Sequence, residues 1–340
     1  MGAALMRVLV TGGCGYVGSV TVETLVERGH QVTVLDNLRT GHAESAMPGA
    51  EVVVGSVGDR ELVDRLLADR GIEAVLHCAA RSLVGESMAE PALYYQENVV
   101  GGLRLLDAMR DAGVDRLVLS STAAVYGAPR SIPIREDDPA DPINPYGATK
   151  LAFEGAMRSY AAYGLRSISL RYFNVAGASA RFGERHDPET HLIPNVLRAA
   201  AEGTTVTLFG ADYPTPDGTP IRDYIHVQDL AEAHLAALER TGEAEAGFEA
   251  MNLGSGTGFS VRQVMDAAEA MVGRPIPHTF GPRRAGDPPI LIASNERAAE
   301  RLGWTPARGS LEAMIGSAWR WMEARRGSAT PAGAAGAEVR

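Results

Sequence analysis

The stretch "NPYGATK" (Asn144–Lys150) puts a tyrosine and a lysine four residues apart. On a helix, Tyr146 and Lys150 share one face. Tyrosine is a poor base: with a pKa of about 10, roughly one in a thousand is ionised at pH 7. A neighbouring ammonium favours the phenolate, and a phenolate within hydrogen-bond reach of a hydroxyl can take its proton. The same spacing also describes an amphipathic helix face with a snorkelling lysine, so the pair alone does not choose. Upstream, "VLSSTAAVYG" brings Ser120, Ser121 and Thr122 to the end of a predicted strand. In open α/β sheets ligands bind at the carboxyl ends of strands. A hydroxyl there can bond a substrate oxygen and the phenol, or simply cap a turn.

These groups need a scaffold, and the first 120 residues alternate strand and helix signals. "RVLVTGG", "QVTVLD", "AEVVVG", "EAVLHCAA" and "RLVLSST" are short apolar runs separated by helical stretches such as Arg60–Asp69 and Leu93–Asp111. That order predicts βαβ units and a Rossmann-like, doubly wound parallel sheet. A further strand, "SISLRYFN", follows the helix that carries Tyr146 and Lys150. After about residue 178, Gly/Pro/Asp-rich loops alternate with helical patterns at 192–201, 228–239, 261–271 and 311–322. The expectation is a Rossmann-like domain over residues 6–178 holding these groups, a smaller α/β substrate-binding region over 179–325, and a disordered tail over 326–340.

"VLVTGGCGYVGS" spaces Gly12, Gly15 and Gly18 between a strand and a helix. Glycines let the backbone approach a pyrophosphate, and the helix N-terminus offers it unpaired N–H groups. Asp36 lies at the end of the second strand, 18 residues beyond Gly18, where an acid bonds adenosine ribose hydroxyls and repels a 2′-phosphate. This favours NAD over NADP, with Arg39 as the counter-signal. Beside a nicotinamide, Tyr-x-x-x-Lys acquires a use: the phenolate takes a hydroxyl proton while hydride leaves the same carbon.

Composition narrows the classes further. The chain has 340 residues, 45% apolar and 22% charged, with net charge −10. A basic face for nucleic acid is not indicated, and no apolar run reaches a membrane span. Two cysteines, Cys14 and Cys78, are too few for a disulfide framework or cysteine zinc site. With no signal-peptide pattern at "MGAALMRVLV", a cytoplasmic setting is expected. The eight histidines form no H-E-x-x-H or Cys/His motif, so no metal site is expected. His77 and His226 read as structural.

The glycine spacing resembles the extended short-chain dehydrogenase/reductases, over roughly Met6 to Met322. Taken in order, "SSTAAVYG", "NPYGATK", "LRYFNVAG", "IRDYIHVQDLAEAH" and "RRAGDPP" resemble the UDP-glucose 4-epimerases. The resemblance implies reversible 4-epimerisation of a UDP-sugar through a 4-keto intermediate, on tightly bound NAD. It makes Thr122, Tyr146 and Lys150 catalytic, with Lys150 bonding the nicotinamide ribose and lowering the tyrosine pKa. It places Gly12, Gly15, Tyr16, Val17, Gly18, Asp36, Asn37, Ser56, Val57, Ala79, Asn98 and Tyr172 against the cofactor. It places Arg222 and Arg284 on the diphosphate, Asp287 on the uridine ribose, Leu192 and Thr207–Phe209 near the uracil, and Asn174 on the substrate. A homodimer is implied, through a four-helix interface of 93–111 and 146–163.

Three departures from the family pattern bear on ligands. Ser56 replaces an acid expected near the adenine. A lysine expected near "VGES" is replaced by Arg81 or Ser82. Leu291, four beyond Asp287, has intermediate bulk where the sugar's 2-substituent would sit. Among rival activities, a 4,6-dehydratase wants an Asp-Glu pair after the threonine, and Ala123 and Ala124 stand there instead. Decarboxylation of UDP-glucuronate, 4-epimerisation of a UDP-uronate or UDP-pentose, and a non-catalytic NAD sensor are the remaining alternatives.

Overall fold

The structure, a computed structural model, describes residues 5–284 and 287–329. The first half runs β1 (Arg7–Thr11), α1 (Tyr16–Glu27), β2 (Gln31–Asp36), β3 (Glu51–Val54), α2 (Arg60–Asp69) and β4 (Ala74–His77). It continues through α3 (Val84–Ala89), α4 (Pro91–Tyr94), α5 (Gly101–Ala112), β5 (Arg116–Thr122), α6 (Pro145–Tyr160) and β6 (Arg166–Tyr172). The single helix expected over 93–111 is interrupted. Tyr95–Val100 is a π-helical turn between α4 and α5, a feature that recurs at functional sites. Tyr94 and Asn98, both buried beside it, reach the site described below.

Next come β7 (Asn174–Ala176), α7 (Leu192–Glu202), β8 (Val206–Phe209), β9 (Ile221–Arg222), β10 (Tyr224–His226), α8 (Val227–Glu243) and β11 (Gly247–Leu253). The last elements are β12 (Phe259–Ser260), α9 (Val261–Val272), β13 (His278–Gly281), β14 (Ile290–Leu291), α10 (Glu296–Leu302) and α11 (Leu311–Ala329). Residues 326–329, expected in a disordered tail, continue α11. Residues 330–340 lie outside the described residues.

Seven parallel strands form the main sheet, in the order β3-β2-β1-β4-β5-β6-β11. The strand order reverses between β1 and β4, which opens a crevice at their carboxyl ends. Alternation across β1 sends Val8 and Val10 into one core, with α1 and α8, and Leu9 into the other, with α2, α5 and α6. Because both faces are covered, the strands read as continuous apolar runs. The chain does not divide cleanly at residue 178: α8 packs on α1, and β11 pairs with β6. The smaller region gathers α7, α9 and α11 around Ile193, Val196, Val264, Met314 and Ile315. Its strands pair as β8 with β13 and as β12-β9-β14.

Candidate active site

The glycine loop leaves β1 at Gly12, whose φ is +72° and whose absent Cβ would lie 2.6 Å from the Ala79 backbone nitrogen. Only glycine permits both. Gly15 starts α1, whose first turn carries no capping side chain and no acid. Its N–H groups and dipole are left for an anion. Tyr16 donates to the Gly177 carbonyl at 2.6 Å, and Val17 packs on the core. Their side chains are thus committed to the protein, which leaves only their backbone for a phosphate. Gly18 is buried in the first turn. Asp36, at the end of β2, accepts from the Cys14 and Leu38 backbone at 2.9 and 2.8 Å. A carboxylate has lone pairs to spare beyond two such bonds. Arg39 lies 3.8 Å from Glu86. Asn37 and Ser56 accept local backbone N–H groups, Val57 packs on the lower core, and Ala79 closes the loop wall.

Asn98 is buried and fully engaged: Oδ1 accepts from Arg81 N at 2.8 Å, and Nδ2 donates to Arg81 O and Thr149 Oγ1. It ties the segment after β4 to α6. Arg81, paired with Glu86 at 2.8 Å, keeps Nε and Nη2 buried without a hydrogen-bond partner. An uncapped helix, a glycine cradle, a strand-end acid and orphaned guanidinium nitrogens together fit an adenine dinucleotide.

Asn144 and Pro145 fix the start of α6: the Asn144 side chain accepts from Gly147 N at 2.8 Å, and proline suits the first helical turn. Gly147 lets the helix press against the Ala124 carbonyl, where any Cβ would collide. This approach brings Tyr146 to Thr122. The Thr122 hydroxyl accepts from Ala124 N at 3.1 Å, capping its turn, and it lies near enough to the Tyr146 phenol to favour the phenolate. Lys150, one turn further and 4% exposed, donates to the Ser120 carbonyl at 2.8 Å.

Burial dominates both ionisations. It pushes the Tyr146 phenol up to about 12, opposed by the Thr122 hydrogen bond, and the Lys150 ammonium down to about 8. The expectation that Lys150 lowers the tyrosine pKa is therefore not met by the protein's own groups. The ammonium is turned to the Ser120 carbonyl, and burial is the largest influence on the phenol. A cation brought to the phenol would favour its ionisation. Tyr172, at the end of β6, is close enough to interact electrostatically with Tyr146.

Sequence reasoning missed the supports beneath these groups. Ser120 Oγ lies 2.6 Å from His234 Nε2, whose Nδ1 donates to the Leu230 carbonyl. The carbonyl can only accept, so Nε2 accepts from Ser120; burial holds this histidine neutral, its pKa near 4. Ser120 is thus a structural hydroxyl, unlike Thr122. Under α6, Glu154 takes a bidentate Arg171 together with Ser121 and Ser169, all buried. His77 bonds Thr11 at 2.7 Å, and His226 caps α8, both structural as read. Burial raises the Cys14 thiol to about 11, so it fills space.

The residues expected on a nucleotide lie in the smaller region. Arg222 sits 2.6 Å from Asp287, so the two are paired with each other. The Arg284 guanidinium covers Phe209 at 4.5 Å. Thr207 and Phe209 occupy the outward face of β8, and Leu192 begins α7. Asn174 Nδ2 donates to the Asp223 carbonyl at 2.9 Å, tying β7 to β10. Leu291 is the register partner of Arg222 and packs in one cluster with Ala123 and Leu151, the neighbours of Thr122 and Lys150. Through it the two halves of the site meet. Elsewhere the fold also brings Glu184, His186 and His191 together, a grouping their sequence spacing did not reveal.

A model of the NAD dependent epimerase/dehydratase family matches residues 8–254, from β1 to the end of the β11 strand. The chain is 52% identical to the UDP-glucose 4-epimerase of Corynebacterium glutamicum, over 94% of this chain and 96% of that one. It is 50% identical to that of Halalkalibacterium halodurans, over 93% and 95%. Among solved structures, the UDP-glucose 4-epimerase from Brucella ovis in complex with NAD superposes with a TM-score of 0.90 at 44% identity, covering 93% of this chain and 98% of that one. The enzyme from Bifidobacterium longum in complex with NAD+ and UDP gives 0.89 at 35% identity, covering 94% and 99%. The glycine cradle, the Thr122–Tyr146–Lys150 corner and these full-length likenesses agree: the chain belongs to the NAD dependent epimerase/dehydratase family.

Proposed function

We propose that the protein interconverts UDP-glucose and UDP-galactose by inverting the sugar C4. The observation that carries this reading is the Thr122 hydroxyl placed beside the Tyr146 phenol, with Lys150 one turn away, next to the glycine loop. Tyr146 takes the proton of the sugar 4-hydroxyl, Thr122 steadies both oxygens, and Lys150 supplies the positive charge on the same face. NAD, held by the loop and Asp36, supplies hydride acceptance and return and a cationic ring. Tyr146 gives its proton back after the 4-keto sugar has turned. Ala123 and Ala124 offer no acid or base for elimination, which disfavours dehydration.

Arg222, Arg284, Asp287, Asn174, Leu192, Thr207 and Phe209 hold the uridine diphosphate while the sugar rotates. Arg222 and Asp287 first exchange each other for diphosphate and ribose. The exposed apolar side chains Met88, Tyr95 and Tyr163, on segments flanking α5 and α6, support the homodimer reading. Among the described residues no helix is long and apolar enough to cross a membrane. A cytoplasmic setting is the reading taken for a protein whose two cysteines are free. The test is incubation with UDP-galactose without added NAD. UDP-glucose should form; no conversion, with UDP-glucuronate or UDP-xylose turned over instead, would overturn the assignment.

A further inference from the structure

The segment between β7 and α7 carries two imidazoles and three carboxylates that the proposed reaction does not use. Glu184, His186 and His191 each offer one ligand atom, all within 4.8 Å of one another. His186 Nδ1 stands 2.7 Å from Glu184 Oε1, and His191 Nδ1 stands 3.9 Å from Glu184 Oε2. An ion at about 2.0–2.2 Å from nitrogen and oxygen ligands holds them roughly 3.3 Å apart, a spacing these two distances bracket. Small side-chain adjustments suffice. His186 Nδ1 is also buried with no hydrogen-bond partner, despite its closeness to Glu184. A nitrogen in that position has a use if an ion lies between it and the carboxylate. Glu189, its side chain 1% exposed, stands 2.7 Å from the same His191 Nδ1, so an ion taken by that nitrogen displaces the Glu189 contact.

We propose that Glu184, His186 and His191 form a site for a divalent first-row transition ion, with Zn2+ the best match. Two imidazoles and a carboxylate favour such ions over Mg2+, which prefers oxygen and water. The site's place gives it a structural task. A cleft beside it is lined by Gly15, Tyr16, His42, Glu184 and His186, and His42 bonds the Arg185 carbonyl at 3.2 Å. On the other side His191 is the N-cap of α7. An ion there fastens the cofactor-loop wall to the helix that begins with Leu192. It stabilises the folded chain by preferential binding.

The test uses the untagged holoenzyme, stripped with a chelator and titrated with Zn2+ by calorimetry, with Mg2+ alongside. One Zn2+ per chain should bind, far more tightly than Mg2+, and should raise the thermal unfolding midpoint. His186→Ala and His191→Ala should abolish both effects while retaining bound NAD, which reports folding. Co2+ should give the intense visible bands of a low-coordinate site in the wild-type protein, a readout that needs no variant. Failure to bind Zn2+, binding untouched by both histidine variants, or the weak spectrum of fully hydrated Co2+ would overturn the proposal.

Discussion

The catalytic corner and the nucleotide-facing region are built on opposite principles. Tyr146 and Lys150 are buried, 8% and 4% exposed; Tyr146 lies beside Thr122, and Lys150 donates to the Ser120 carbonyl of the same strand end. Arg222, Asp287, Arg284 and Phe209 sit nearer solvent, and Phe209 is 37% exposed. They are held by each other, through an ion pair and a cation–π contact. A group that moves a proton needs a low-dielectric site where small changes of charge have large effects. A group that admits and anchors a diphosphate needs charges whose present partners exchange at little cost. The Arg222–Asp287 pair is partly buried, its side chains 12% and 29% exposed.

The largest break in that comparison should come from Tyr146→Phe. Steady-state turnover should fall by about 10²–10⁴-fold with bound NAD unchanged; near-normal turnover would remove the proton role. Next, Glu154→Gln leaves Arg171 buried and without its charge partner. Denaturant unfolding should show a loss of about 3–5 kcal/mol, whereas Asp287→Asn in the nucleotide region should cost well under that. Equal losses would erase the contrast between the two regions. Arg222→Lys should raise KM for UDP-galactose by roughly tenfold, the loss of one charge-assisted bond, with kcat nearly unchanged. A fall in kcat instead would place Arg222 with the catalytic groups.

The smallest expected effect is in pH. Burial lowers the Lys150 pKa to about 8, so its ammonium is present below that pH and lost above it. Turnover should decline as pH rises through about 8. Lys150→Arg keeps its charge there and should flatten this limb, at a lower rate. A profile with the same alkaline limb in both proteins would assign the titration elsewhere.

The sheet was legible because strands buried on both faces read as apolar runs, and because Gly12, Asn144 and Pro145 mark local turns and caps that depend on neighbours in sequence. Thr122, Tyr146 and Lys150 lie on one strand end and one helix turn, but their spacing also fits an ordinary helix face, and it was the family resemblance that singled them out. What stayed hidden depends on long-range contact. His234 meets Ser120 across 114 residues, and Arg222 pairs with Asp287 only because β9 and β14 lie side by side. The return of β11 to the first sheet and the π-helical turn at Tyr95–Val100 left no local signature. The raised tyrosine pKa was invisible because burial, which the sequence does not display, outweighs a charge four residues away.

The central claim is that one carbon–hydrogen bond is broken and remade at C4 inside the protein, while only the Tyr146 proton exchanges with water. Epimerising UDP-galactose in D2O and examining the product by NMR tests this directly. The account predicts UDP-glucose with no deuterium at C4. Deuterium at C4 would show that the hydrogen left as a proton and came back from solvent, and would contradict it.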